Sequence, residues 1–298
     1  MSERETLKQS LTVEVFTAME RLGMSLPEAW GRRLFAVGGA LAFHLGSKAR
    51  ATVAANLSRV LGRPPGSDLV RSATRQAFRS YARYWHETFL VRSMSTPDFM
   101  KRFTFQGVEH LARATEAGRG GILALPHLGN WDAAARWVAQ SGFRITAVAE
   151  ELKPPRLYRL FERHRHALGM GILPLSNARK LGAELPALLA QNHLLALVSD
   201  RDLKGTGVEV EMFGASRKMP AGPALLSLAT GSPLMPCVPY DTEDGWACSI
   251  RPPLEVDRTG SMRQDVITLT RVLAKEFERD ISAFPTQWHM FQPAWDEG

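Results

Sequence analysis

Gly121-Ile-Leu-Ala-Leu-Pro-His-Leu-Gly-Asn-Trp-Asp132 is an apolar run that stops at a proline and a histidine, with an aspartate five residues beyond the histidine. The run reads as a buried strand, and the residues after it read as a helix start. On one continuous helix, five residues would set the two side chains about 140° apart, so they meet only if a turn intervenes. Gly129 permits the backbone of such a turn, and Asn130 can cap a helix running from Trp131 to Gln140. His127 is then expected on the loop leaving a strand, with Asp132 in the first helical turn and near enough to hold one imidazole nitrogen. That arrangement keeps a neutral histidine as a general base. A lone His–Asp pair is more often structural, so its meaning depends on what gathers beside it.

Outward from this stretch the pattern alternates. Apolar runs at 145–149, 171–175 and 194–199 are separated by helical stretches at 132–140, 155–168 and 180–190. Strands alternating with helices of this length imply βαβ units and a largely parallel sheet. The chain goes on with an apolar run at 208–213, a helix at 221–230, runs at 234–240 and 246–251, and a final helix at 262–282. Upstream, residues 5–93 read as helices: Leu7, Leu11, Val15, Met19 and Leu22 recur at helical spacing, and similar patterns fill 30–42, 49–61 and 68–89. The expected fold is α/β, a mixed, largely parallel central sheet flanked by helices. The expected organisation is a single domain over 1–298, with a helical N-terminal region (1–95) and an α/β core (96–298).

With 298 residues, 45% of them hydrophobic, the chain can bury a sizeable core, which argues against a disordered or fibrous protein. The net charge of +7 suggests an acidic partner: an anionic membrane surface, a phosphorylated substrate or nucleic acid. Basic residues such as Arg21, Arg32, Arg33, Lys48 and Arg50 punctuate the N-terminal helices, and amphipathic basic helices can lie in a membrane interface. The longest apolar stretch, at 34–45, carries His44 and is shorter than the roughly 20 residues of a spanning helix. The first residues lack the basic start and apolar core of a secretory signal, so no secretion is expected. Cys237 and Cys248 fall in strand-like apolar segments and are expected as buried thiols of a reducing compartment, with a disulfide as the alternative.

At or just beyond the ends of the early strands stand His127, Glu150 and Asp200-Arg201-Asp202. Ligands of open parallel sheets bind at the carboxyl ends of the strands, so this set resembles an acid/base site for a hydroxyl-rich substrate. The sequence has no G-x-S-x-G, H-E-x-x-H, C-x-x-C pair, P-loop or post-strand G-x-G-x-x-G. His164 and His166 are two apart on a predicted helix and face away from each other, so no metal is expected there. Without an evident nucleophile, the simplest role for His127 is to take a proton from a substrate hydroxyl, which then attacks an activated acyl carbon. Asp132 or Asp200 would fix the tautomer. Backbone N–H groups near Gly129, a helix N-terminus or Arg201 would hold the oxyanion. Trp131, Trp137, Met212 and Phe213 are candidates to line an apolar channel.

The stretch His127-Leu-Gly-Asn-Trp-Asp132 resembles the H-x4-D signature of the glycerolipid and lipid A type acyltransferases, and the chain is most similar to the mycobacterial phosphatidylinositol mannoside type. The likeness extends through Ser80-Tyr-Ala-Arg-Tyr-Trp85, Val148-Ala-Glu-Glu-Leu-Lys-Pro154, Arg165-His-Ala-Leu-Gly169, residues 201–210, Arg217-Lys-Met-Pro-Ala-Gly-Pro-Ala224 and Trp288-His-Met-Phe-Gln-Pro-Ala-Trp295. It implies transfer of a long acyl chain from acyl-CoA, as co-substrate and with no resident cofactor or metal, to a mannose hydroxyl of phosphatidylinositol mannoside or a related glycolipid. The place implied is an anionic membrane surface, peripherally on the cytoplasmic face of the inner membrane. It implies His127, Asp132 and Asp200 as catalytic, and Glu150, Arg165, Arg201 and Asp202 around the substrate. Two positions depart from the family pattern. The residue before Arg201 is glutamate there and Asp200 here, one methylene shorter, which argues against direct contact with His127. The residue after the histidine is small and polar there and Leu128 here, which would alter the rim of an acyl groove. Alternatives are a lipid A type enzyme with another acceptor and a non-catalytic basic protein that binds lipid or nucleic acid. The sequence carries no recognisable nucleic-acid module, so no nucleic-acid partner is expected.

Overall fold

A computed structural model describes residues 6–175, 178–203 and 205–295, so residues 1–5, 176–177, 204 and 296–298 lie outside the description. Four helices come first: α1 (Leu7–Ser25), α2 (Glu28–Leu45), α3 (Ser47–Leu61) and α4 (Asp68–Ser93). Local chemistry sets their ends. Thr6 and Gln9 form a reciprocal capping box at α1, Gly62 closes α3 in the left-handed conformation, and the Ser67 hydroxyl accepts the Val70 N–H at the start of α4. Helix α2 lies tight against α4 because Gly31 has no side chain: a Cβ there would stand 2.4 Å from His86 Nε2.

Then come α5 (Thr96–Lys101), β1 (Phe103–Gln106), α6 (Val108–Glu116), β2 (Gly121–Leu125), α7 (Trp131–Gln140), β3 (Ile145–Ala149), α8 (Pro155–Ala167), β4 (Gly171–Pro174), α9 (Ala178–Ala190) and β5 (Leu194–Val198). A hairpin, β6 (Val208–Met212) and β7 (Ala215–Met219), leads to α10 (Gly222–Thr230), β8 (Leu234–Asp241), β9 (Trp246–Ile250) and α11 (Met262–Ala283). The main sheet has seven strands in the order β1-β9-β8-β2-β5-β3-β4, parallel except where β8 meets β9. Sequence periodicity anticipates most of these elements. It misses α5, β1, α6 and β7, which are too short or too polar to stand out.

The chain leaves β2 for one face of the sheet and β5 for the other. Ala133, Ala134 and Ala135 of α7 pack with Leu123 and Leu125 in one core, whereas Ala224 of α10 and the apolar side of the hairpin pack with Ile122, Ala124 and Leu195 in the second. Adjacent parallel strands whose connections diverge in this way leave a crevice at their carboxyl ends.

Two buried histidines hold the N-terminal helices. His86 of α4 and His164 of α8 are 2% and 1% exposed, and His86 Nε2 and both His164 nitrogens have no hydrogen-bond partner among the described residues. Burial pulls both below the ordinary imidazole value of 6.5. Above that value both states are neutral, and as pH falls below it the unfolded chain takes up protons that the folded chain refuses, so stability is lost on acidification. His164→Leu is expected to lose less thermal stability between about pH 7.5 and about pH 5.5 than the parent. Equal losses in the two melting series would contradict the assignment. His166, two residues on, is exposed, and the two rings do face apart.

Candidate active site

His127 and Asp200 close the crevice between β2 and β5. Pro126 ends β2, and Gly129 lets the chain turn under β8: its φ is +58°, and a Cβ would stand 2.4 Å from the Pro239 carbonyl oxygen. The loop is laced to a distant segment. The Gly129 N–H donates to the Gln287 carbonyl at 3.1 Å, the His289 N–H donates to the His127 carbonyl at 2.7 Å, and Leu128 bridges Trp288.

Asp200 is fully buried. Its Oδ2 accepts the His127 backbone N–H at 3.0 Å and the Trp288 indole N–H at 2.8 Å, while its Oδ1 meets His127 Nδ1 at 2.5 Å. Burial works against its charge, but His127 beside it, its hydrogen bonds and Arg217 prevail and hold the carboxyl down at about 2. An ionised carboxylate can only accept, so Nδ1 carries the hydrogen, and in the neutral ring the lone pair is on Nε2. The shorter side chain of aspartate therefore reaches the imidazole after all. The strand end brings the His127 backbone itself into contact with the carboxylate, so the glutamate's extra methylene is not needed.

Asp132, expected as one of two acids able to hold the imidazole, points elsewhere. Its Oδ2 accepts the Tyr84 hydroxyl at 3.0 Å and its Oδ1 accepts Arg165 Nε at 2.9 Å. The Asn130 side chain accepts the Ala133 N–H and starts α7 there, which turns Asp132 into the helix layer. What Asp132 holds is Arg165, and the Arg165 guanidinium lines the same cavity as His127. Arg201 pairs with Glu150 at 2.7 Å, and Asp202 Oδ2 accepts the Gly207 N–H at 2.6 Å. Glu150, Arg201 and Asp202 line the cavity too. Every site residue expected from sequence thus borders one space or, like Asp200, supports a residue that does.

That cavity has a volume of about 660 Å³. Beneath α7 it is walled by small residues, Ala134, Ala135, Ala147 and Ala196, and it runs down the sheet as far as Ile145 and Met170. Leu125 is level with Val198, and Ile145 with Leu194 and Gly121, so the descent covers four residues of strand, about 13 Å. Trp131 stands at the mouth, edge-on to His127 with ring centroids 5.8 Å apart. The other expected channel residues are core. Trp137 stacks on Phe105 at 3.9 Å, Met212 is fully buried on the opposite face, and Phe213 sets its edge against Trp295. Leu128 is also fully buried in that opposite core, so it forms no rim. Cys237 and Cys248 are free thiols with Sγ atoms 3.4 Å apart, and both border the cavity despite their sequence distance from His127.

His289 has no place in the sequence-derived site. Its Nε2 lies 3.2 Å from Ser80 Oγ, its Nδ1 has no partner among the described residues, and its ring borders the cavity. Burial, with His127 beside it, pushes it down to about 3, so it is a neutral imidazole at any working pH. The signal that could have found it was its place after Trp288, in a stretch that stands out only by its likeness to the family.

The family model of the bacterial lipid A biosynthesis acyltransferases matches residues 5–297. A phosphatidylinositol mannoside acyltransferase of Mycolicibacterium smegmatis is 38% identical over 296 residues, covering 99% of this chain and 95% of the relative. One of Mycobacterium tuberculosis is 41% identical over 245 residues, covering 80% of this chain and 75% of the relative.

Proposed function

The chain belongs to the bacterial lipid A biosynthesis acyltransferase family, and on that premise we propose that it moves a long-chain fatty acyl group from acyl-CoA to a mannose hydroxyl of a phosphatidylinositol mannoside. The observation that carries this reading is a histidine with Nδ1 engaged by an ionised aspartate, opening on an apolar cavity that descends along the sheet. The acceptor comes from the relatives' names.

In the proposed step His127 Nε2 takes the proton of the sugar hydroxyl as its oxygen attacks the thioester carbonyl. The new C–O bond forms, the C–S bond breaks, and the imidazolium returns its proton to the departing thiolate. Asp200 stabilises the imidazolium in between. The backbone donors near Gly129 are already committed: Leu128 N–H to the Pro126 carbonyl, Gly129 N–H to the Gln287 carbonyl and His127 N–H to Asp200. Arg201 is held by Glu150. His289 is a candidate donor for the oxyanion, beside the guanidinium of Arg165. With the Ser80 hydroxyl donating to Nε2, its Nδ1–H is free for an oxygen in the cavity, and a neutral imidazole can do this without contributing a proton to the exchange. Arg165, aimed by Asp132, and the Glu150–Arg201 pair would hold the sugar.

Exposed apolar residues suit work at a membrane surface. Trp30, Leu34, Val37, Leu41 and Leu45 form one stripe on α2, opposite the buried Gly31, Phe35 and Gly39. Arg33 lies over the Trp30 ring at the edge of the stripe, and no helix among the described residues is long and apolar enough to cross a membrane. We place the protein peripherally on the cytoplasmic face of the inner membrane, held by this stripe and by its basic charge. Leu34→Glu and Leu41→Glu should each weaken binding to anionic vesicles roughly tenfold while leaving turnover of a detergent-dispersed acceptor intact. Unchanged vesicle binding would remove α2 from the interface.

The central test is release of CoA from palmitoyl-CoA by the purified protein, with a mannosylated phosphatidylinositol as acceptor and the acylated product identified by mass. Release that ignores the acceptor, or turnover only with a lipid A precursor, overturns the reading.

A further inference from the structure

Against the backbone of Asp200 lies an arginine that acyl transfer by His127 does not use. Arg217, on β7 opposite Val210, is 5% exposed, and one of its terminal nitrogens donates to the Asp200 backbone carbonyl. Its Nε and Nη1 have no hydrogen-bond partner among the described residues. Its guanidinium stands 5.2 Å from the centre of the Trp295 ring, with Arg59 at 5.3 Å from the same ring. Trp288 and Trp295, 2% and 7% exposed, meet edge to face and help close this region to water. Burying an arginine with two idle donors is costly unless its charge is needed where it sits.

We propose that Arg217 is the permanent counter-ion of Asp200, and that by balancing this carboxylate it leaves the His127 imidazole uncharged and able to accept a proton. A carboxylate so enclosed must have a positive partner, and two are at hand: the guanidinium and an imidazolium at His127. With Arg217 in place, carboxylate, guanidinium and neutral imidazole sum to zero. Without it, the favoured arrangement is carboxylate with imidazolium, whose two nitrogens both carry hydrogens and can relieve a sugar hydroxyl of nothing. Arg217 acts through Asp200 and is a positioning residue.

The other groups facing His127 do not take over this task. His289 from the C-terminal segment is neutral, and Trp131 from α7 carries no charge. Across the cavity, Arg165 is paired with Asp132 and Arg201 with Glu150, while Asp202 accepts the Gly207 N–H. Asp200 is the charge in contact with the imidazole. Burial pulls Arg217 below its ordinary value and Asp200 pushes it back, and Arg217 is among the groups that hold Asp200 down.

The test compares the full chain with Arg217→Met, Arg217→Gln and Arg217→Lys, using two readouts. The first is the His127 ring in nitrogen NMR spectra, assigned by its loss in His127→Gln, which needs no substrate. The second is the pH profile of CoA release, which rests on the acyl-transfer reading. In Met and Gln variants the titration of the ring and the acidic limb of kcat/KM should both move to higher pH by about one unit, with activity recovering above the limb. Lysine, which keeps the charge, should restore the parent profile. Activity that falls while the ring titration and the limb stay in place overturns the proposal, because a purely structural role would do that. If the neutral variants do not fold, the parent decides: near neutral pH its His127 ring should be uncharged with the hydrogen on Nδ1, and an imidazolium there overturns the proposal. The NMR result stands whether or not transfer to a mannosylated lipid is found.

Discussion

His127→Ala is expected to lower acyl transfer by about three orders of magnitude while leaving the fold in place. Among the described residues, the imidazole is the group in contact with the Asp200 carboxylate that also opens on the cavity, so removing it leaves the acceptor hydroxyl with no base. The substitution also strands a buried carboxylate, although Arg217 and the Trp288 indole still face it. His127→Gln makes the better companion variant, because its amide can still donate to Asp200. Both should keep the parent's circular dichroism, and CoA release with the mannosylated acceptor is the measurement. Either variant retaining a tenth of the parent rate would rule out His127 as the base.

Asp200→Asn is the second large effect, expected at about a hundredfold or more in kcat. The reason lies in which oxygen does what. Among the described residues, Oδ2 receives two donors, the His127 backbone N–H and the Trp288 indole, whereas Oδ1 receives only Nδ1. Asparagine has one oxygen to offer, and the two donors claim it. Its amide N–H₂ then faces Nδ1 and forces that nitrogen to accept, so the ring hydrogen moves to Nε2, where the lone pair was needed. Nitrogen NMR of the His127 ring would detect the exchanged tautomer directly. An asparagine variant with the parent tautomer and the parent rate would refute this account. Acid stability should change with it. Asp200, held at about 2 when folded against 3.8 otherwise, stabilises the fold above the ordinary value, and that contribution is lost as pH falls through the folded one. The asparagine variant lacks this dependence.

How much of this could be read in the sequence depends on how far apart the partners lie. The strand, turn and helix from Gly121 to Gln140 are local: an apolar run, a glycine with positive φ and a capping asparagine are neighbours, and the structure has all three. Which acid meets His127 is not local. Asp200 is 73 residues away, and its approach depends on β5 lying between β2 and β3, which periodicity does not fix. The sequence leaves the choice between Asp132 and Asp200 open for that reason. Leu128 and Met212 are misplaced by sequence for a related one: a side chain's face depends on how the loop or hairpin folds over the sheet, and both turn into the core opposite the cavity. Trp137 reads as a channel residue by type, but its place on α7 sets it against Phe105 of the edge strand β1, which the sequence does not reveal. His289 and Arg217 are invisible as site residues in the sequence because their partners come from distant segments.

The lacing of residues 287–289 onto the His127 loop sets a schedule for translation. All seven strands of the main sheet are synthesised before Gln287, Trp288 and His289. A chain lacking that segment already holds His127 and Asp200, yet it has neither the indole that donates to Asp200 nor the second imidazole that borders the cavity. Residues 287–289 are thus finishing pieces, added after the acid and base that they brace.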